Sequence, residues 1–273
     1  MYYQSFDPPV QISHIVRSIW IVEGNEEGNG AFNHRLFADN CANLVFHYRN
    51  HFREIKRGQP GSYLHDAVLH GQSTGFEDMR VDGPFGILGI YLYPQATKLL
   101  FGLPASEITN TIIPLDVLDT RGLEPLEERL AVAVGHKERV NYAFDYIISL
   151  LSKSQQPIDR RLHFCIDRIL ENSGNVNLDG LCDTAGLSTR QLERLFKQSA
   201  GLNPKLFSMI TRFTDALTTP LGESARNLTE LALQTGYSDQ SHFIRDFKAF
   251  SGLSPKVYFK SLTHVADNFV SLE

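Results

Sequence analysis

Two rhythms of apolar and polar positions divide this chain. Between residues 12 and 92, short runs rich in β-branched and aromatic residues alternate with Gly, Asn, Asp and Pro, the mark of strands separated by turns. Residues 16–22, 43–48, 52–56, 67–69 and 86–93 are the clearest runs, and their spacing predicts a small β-barrel or sandwich. After Pro94 the period lengthens to that of helices, at 95–101, 115–118, 123–134 and 140–151, with a Gly102-Leu103-Pro104 break after the first. The last carries Tyr142, Phe144, Tyr146, Ile147, Leu150 and Leu151. That apolar face predicts packing on its own barrel, with a second subunit, and so a homodimer, as the alternative. The polar stretch Ser152-Lys153-Ser154-Gln155-Gln156-Pro157 reads as a linker. The expected organisation is therefore α+β in two domains: a β-rich domain with helices over 1–152, a linker over 153–157 and an all-helical domain over 158–273.

Past the linker the chain repeats itself. Arg194-Leu195-Phe196-Lys197 followed by Gly201-Leu202-Asn203-Pro204-Lys205 returns as Arg245-Asp246-Phe247-Lys248 followed by Gly252-Leu253-Ser254-Pro255-Lys256, at a constant offset of 51. Two copies at one end of a chain are too few for a solenoid and predict a tandem pair of small helical modules. Before each copy the spacing predicts a helix, a tight glycine turn and a second helix. In the first, Leu178, Leu181, Cys182 and Ala185 lead to Gly186, and Ser188 is the expected N-cap of a helix burying Leu192, Leu195 and Phe196. In the second, Leu228, Leu231, Ala232 and Leu233 lead to Gly236, and Ser238 is the expected cap of a helix burying Phe243, Ile244 and Phe247. This is the helix-turn-helix arrangement, in which the second helix enters the major groove of DNA.

The polar positions of the two second helices suit that use. The first offers Ser188, Thr189, Arg190, Gln191, Glu193, Arg194 and Lys197. The second offers Ser238, Asp239, Gln240, Ser241, His242, Arg245 and Lys248. Arginine donates twice to guanine, glutamine pairs with adenine, serine serves either kind of base and glutamate accepts from cytosine. Lysines meet phosphate. The segments 181–204 and 228–259, above all Gly236-Tyr237-Ser238-Asp239-Gln240-Ser241-His242-Phe243 through Phe247-Lys248 to Gly252-Leu253-Ser254-Pro255, resemble the two helix-turn-helix units of the AraC/XylS family of bacterial transcription activators.

The resemblance implies two recognition helices joined by a linker helix and set in consecutive major grooves of double-stranded DNA. Carried over by position, the base readers would be Arg190, Glu193 and Arg194, then Gln240, Ser241 and Arg245. It also implies a barrel-like N-terminal domain that senses a small-molecule effector or mediates assembly, and a contact with RNA polymerase. Two departures stand out. Cys182 takes a place where the family usually has alanine, and Thr219-Pro220 replaces a leucine pair, so the linker helix is expected to stop at or before Thr219.

Composition narrows the alternatives. A net charge of −5 looks wrong for a DNA-binding protein until it is divided: residues 158–262 hold 13 Lys and Arg against 11 Asp and Glu, and the excess of acid lies elsewhere. Three widely spaced cysteines, Cys41, Cys165 and Cys182, have no zinc-like pairing and point to a reducing cytosol. No apolar run has the length needed to cross a membrane, and the first residues lack a basic segment followed by an apolar one, so a soluble cytoplasmic protein is expected. His34, His47, His51, His65 and His70 fall among the strands without a metal-like spacing, and read as scattered structural or surface residues. No catalytic triad, phosphate loop or dinucleotide fingerprint occurs, so no catalytic residue, cofactor or metal is expected. The rival reading, a cupin-like enzyme carrying a helical regulatory domain, would need such a constellation in the barrel.

Overall fold

Side-chain alternation along the strands sets the layers of the N-terminal half. In a computed structural model the described residues are 1–24, 30–56, 59–118, 123–154, 159–219, 228–261, 264–266 and 269–271, so residues 155–157 of the expected linker lie outside them. The strands are β1 (Tyr2–Phe6), β2 (Val16–Gly24), β3 (Ala31–Leu36), β4 (Ala42–Arg49), β5 (Arg53–Lys56), β6 (Gln59–Tyr63), β7 (Ala67–His70), β8 (Glu77–Asp82), β9 (Phe85–Leu92) and β10 (Ile112–Pro114). Helices α1 (Ala96–Phe101), α2 (Ala105–Ile108), α3 (Leu123–Val132) and α4 (His136–Ser152) complete this half. The strands form two antiparallel sheets, ordered β1-β2-β9-β4-β7-β10 and β3-β8-β5-β6. The short C-terminal strands β11 (His264–Ala266) and β12 (Phe269–Ser271) extend the second sheet beyond β3.

The first sheet is buried on both faces. Ile19, Ile21, Leu44, Phe46, Leu88 and Ile90 turn outward into a core shared with α1, α3 and α4, where Phe46 meets Tyr146 edge-on at 6.2 Å. The apolar face of α4 thus completes its own domain. The alternate residues turn toward the second sheet, and at one end Trp20, Val22, Phe32, Phe52, Phe85 and Ile87 close the space between the sheets.

The helical half comprises α5 (Arg160–Glu171), α6 (Leu178–Ala185), α7 (Thr189–Ala200), α8 (Pro204–Thr218), α9 (Leu228–Gln234), α10 (Gln240–Ser251) and α11 (Pro255–Ser261). α8 is the axle. Asn203 caps its start through the Leu206 amide, with Pro204 in the first turn where no N–H is needed. It ends with Thr219 in extended conformation as C-cap, the stop expected from the Thr-Pro pair. Phe207 in its first half packs on Phe196 of α7 (5.5 Å), and Phe213 in its second half packs on Phe247 of α10 (5.2 Å).

The two halves are welded together. Phe37, which follows β3, leaves the barrel and sits 2% exposed in the helical core, edge-on to Phe213 at 6.0 Å and Tyr258 at 5.7 Å. Burying a ring of this size contributes about 1.5–3 kcal/mol, well above an exposed ion pair at about 0–1 kcal/mol.

Candidate DNA interface and the cavity beside it

Each turn of the two helix-turn-helix units is built the same way. α6 ends at Gly186 (φ 63°), whose amide donates to the Asp183 carbonyl while Leu187 N–H reaches back to Cys182. α9 ends before Gly236 (φ 80°), which donates to Leu233 while Tyr237 N–H reaches Ala232. Both are paired helix-ending bonds that need a left-handed residue, hence glycine. Leu233, expected in the apolar face of α9, is instead 60% exposed.

The caps differ. Ser188 accepts from the Gln191 amide, and the Gln191 side chain accepts from the Ser188 N–H at 2.8 Å, a full capping box. In the second unit the cap is Asp239, not Ser238: its carboxylate accepts from the His242 amide at 2.8 Å. The reason is an inserted residue. The turn glycines are offset by 50 and the recognition helices by 51, so Ser238 is the extra residue, and its hydroxyl contacts Asp239 and His242 instead.

Of the expected reading residues, Thr189, Arg190, Glu193, Arg194, Ser241, Arg245 and Lys248 are exposed, with the Arg245 side chain 75% accessible. Three others have prior engagements. Gln191 is held in the capping box. Lys197 donates to the Gly201 carbonyl at 3.1 Å and so caps its own helix. His242 lies edge-on to Tyr237 and its Nε2 stands 3.2 Å from the buried carboxylate of Asp246. Gln240 is half-buried, beside Thr229 at 3.2 Å.

The far ends of both recognition helices rest on the N-terminal half. Gly201 and Gly252, matched in the repeat, both adopt φ 71°. Thr109 donates to the Gly201 carbonyl (3.3 Å), and a Cβ at Gly201 would fall 2.7 Å from the Ala105 carbonyl oxygen. At the second helix Ala38 N–H donates to Phe250 (3.0 Å), Arg35 reaches the Ser251 carbonyl (3.4 Å), and a Cβ at Gly252 would meet the Phe76 ring at 2.6 Å.

Between the sheets, at the end facing α8, lies a cavity of ≈ 500 Å³. Cross-strand register aligns Ser18, Tyr91, Asn43 and His70 in one row along its wall. The next rows bring Trp20, whose ring covers Gly89, and then Ile87 beside His47. Asn40, from the β3–β4 connection, lines the cavity and donates from Nδ2 to the Phe207 carbonyl (2.9 Å) and the Thr211 hydroxyl (2.8 Å) of α8. α8 adds wall through Thr211 and Asp215, with Leu170 of α5 and Ser173 just past its end beside them.

Three of the five barrel histidines, His34, His47 and His70, therefore share the cavity and are not scattered. His47 and His51 stand 5.5 Å apart between ring centres despite their spacing of four, because the strand ends between them. Burial pushes both His47 and His70 down to about 4, with a neighbouring histidine adding to each shift, so both are neutral near pH 7. Burial, helped by Asp39, pushes the Cys41 thiol up to about 12. Cys165 and Cys182 are also buried and reduced. Among the described residues no group of three or more histidines, cysteines or carboxylates could hold a metal ion, and no helix is long and apolar enough to cross a membrane.

The cavity residues were missed in the sequence, although a signal was there. In β4 the outward positions Leu44 and Phe46 are apolar while the inward positions carry Asn43 and His47, the reverse of a strand facing a dry interior.

Comparison with known proteins decides the family. A helix-turn-helix domain matches residues 181–261, and a domain of unknown function (DUF6597) matches residues 4–114. An HTH-type transcriptional activator, RhaS of Pectobacterium atrosepticum, is 34% identical over 264 residues, covering 90% of this chain and 86% of that protein. The chain belongs to the AraC/XylS family. As an AraC-type protein it is a DNA-binding transcription regulator. An uncharacterized HTH-type regulator of Haemophilus influenzae is 31% identical over 106 residues, which are 38% of this chain and 35% of that protein. The solved structure of fatty-acid-bound ToxT from Vibrio cholerae aligns with a TM-score of 0.51 at 11% identity, covering 91% of this chain and 97% of that one, and shares the two-domain AraC fold.

Proposed function

We propose that this AraC-type regulator reads DNA through the exposed N-terminal turns of α7 and α10, and that its barrel cavity binds a small effector which alters how those helices are presented. Arg190, Glu193 and Arg194 read bases in the first groove, with Ser241 and Arg245 in the second. Lys248 meets phosphate, while Gln191, Lys197 and His242 serve mainly to shape the units. The observation that carries the reading is the position of α8. It forms one wall of a half-polar cavity and packs on both recognition helices, so an occupant of the cavity touches the element that orients them. A closed apolar interior would have favoured pure assembly, and this one is neither closed nor wholly apolar. The ligand-bound state of the ToxT structure supports a ligand-binding role for the fold.

The protein acts in the cytoplasm without catalytic turnover, and residues 1–152 and 158–273 are its two domains. Selection of a binding site from random double-stranded DNA, followed by footprinting, tests the reading. Protection of two half-sites about one helical turn apart, on one face, is the expected result. A single protected half-site, unaffected by substitutions in α10, would remove the bipartite assignment.

A further inference from the structure

We infer that the cavity selects a ligand whose polar end is a hydrogen-bond donor, an amine or a hydroxyl, and rejects one that ends in a carboxylate. The inference rests on the reading of the cavity as an effector site and names the chemistry of that effector.

Two of the polar groups that face the cavity, beside the hydroxyls of Tyr3, Ser18, Tyr91 and Tyr93 and the Trp20 indole, are acceptors whose orientation is forced. Thr211 has one hydroxyl proton and donates it to the Phe207 carbonyl at 2.9 Å. Its oxygen can only accept from Asn40, and the Phe207 carbonyl can only accept, so the amide of Asn40 must turn its nitrogen to α8. Its Oδ1 is then left buried with no partner, in a residue 5% exposed. The Asn43 side-chain amide and the His70 ring each bring a further buried polar atom without a partner to the same wall. His47 is fixed in the same way: its Nδ1 lies 3.0 Å from the His65 carbonyl and carries the proton, which leaves Nε2 of the neutral ring as a bare acceptor.

Charge points in the same direction. Among the described residues Arg17 is the only Lys or Arg in the lining, and Asp39 and Asp215 are the carboxylates. A carboxylate ligand would bring only acceptors to the Asn40 Oδ1 and His47 Nε2 positions. A donor satisfies them, and the unpaired buried Asn40 oxygen is what makes it favourable. Occupancy also reaches α8, because a donor at Asn40 Oδ1 polarises the amide and strengthens its bonds to Phe207 and Thr211.

The sole tryptophan of the chain, Trp20, lines this cavity and reports on it alone. The full-length protein is titrated with 2-phenylethylamine, 2-phenylethanol and phenylacetate, and with the matching cyclohexyl amine, alcohol and acid, while Trp20 emission and melting temperature are followed. The amine or alcohol of at least one ring series is expected to shift both signals at about tenfold lower concentration than its acid, the two arms showing whether charge or the donor itself is read. Asn43→Leu is expected to erase that preference, while Asn43→Asp, which keeps the acceptor and its size, is expected to retain it and favour the amine. Equal or tighter binding of the acids overturns the inference and leaves the effector site standing. Silence of Trp20 toward every probe overturns both.

Discussion

The two reading units share a fold, a pair of glycines and a repeat, yet they are held at their ends by different chemistry. The first begins in a neutral capping box, Ser188 with Gln191, and ends against a buried hydrogen-bonded set, the Gln72 amide, the Thr109 hydroxyl and the Ala105 carbonyl. The second begins in a carboxylate cap, Asp239, and ends where the Ala38 N–H holds the Phe250 carbonyl and the ring of Phe76, with Arg35 over it at 4.3 Å, covers Gly252. Phe76 is itself 44% exposed. The difference teaches where the molecule can give. The space beside Gly201 is filled by buried groups tied to one another, whereas the space beside Gly252 is filled by a ring at the surface.

The glycine pair offers the largest effect by which to break this contrast. Both residues sit at φ 71°, so alanine at either costs about 1 kcal/mol for the left-handed backbone alone. At Gly201 the added methyl also drives into the buried Gln72 amide and the Thr109 hydroxyl, which are braced against the Ala105 carbonyl, and Gly201→Ala is expected to lose about 3 kcal/mol in a thermal or denaturant melt. At Gly252 the ring can yield, so Gly252→Ala should lose about 1–2 kcal/mol, and Phe76→Ala should restore part of it. Equal losses at the two sites, or no rescue by Phe76→Ala, would mean that the two helix ends are equally rigid.

DNA affinity comes next. Arg190→Ala, Arg194→Ala and Arg245→Ala are each expected to cost about 1–3 kcal/mol on the selected site and to relax preference at one position. Lys248→Ala should weaken specific and random DNA alike and reduce the salt slope by about 1. Its repeat partner Lys197 is tied to Gly201, so Lys197→Ala should change that slope less. If a salt titration showed the two lysines to be equivalent, the helix-capping role of Lys197 would not survive contact with DNA.

The same contrast explains how much could be read in the sequence. The repeat displayed the reading units because helix spacing, turn glycines and caps are local, and even the end of α8 followed from Thr219-Pro220. The cap of α10 was misplaced by one residue because Ser238 and Asp239 are both good caps, and only the backbone path after Gly236 chooses between them. In the barrel, the hydrophobic runs of β2, β4, β7 and β9 were legible because one face of each packs under the helical layer. β6 was not, since Gln59–Tyr63 is exposed throughout, and β8, Glu77–Asp82, alternates too many charges to read as a strand. The weld through Phe37 and the cavity contact of Asn40 are contacts between distant parts of the chain, which no local pattern encodes.

The smallest effect separates the two caps by pH. The carboxyl of Asp239 is held below the ordinary aspartate range, first by the His242 amide and then by the Ser238 hydroxyl. Because its pKa is lower folded than unfolded, its contribution is present above the unfolded value of about 4 and is lost as pH falls through the folded one. Ser188 has no such proton to gain. Acidification from pH 6 to pH 3 is therefore expected to speed amide exchange at His242 more than at Gln191, once the intrinsic pH dependence of exchange is removed. Asp239→Ser should make the two amides respond alike, at a small cost in stability, since serine and aspartate cap about equally well. If the His242 amide kept its acid sensitivity in Asp239→Ser, the titrating group would have to lie elsewhere.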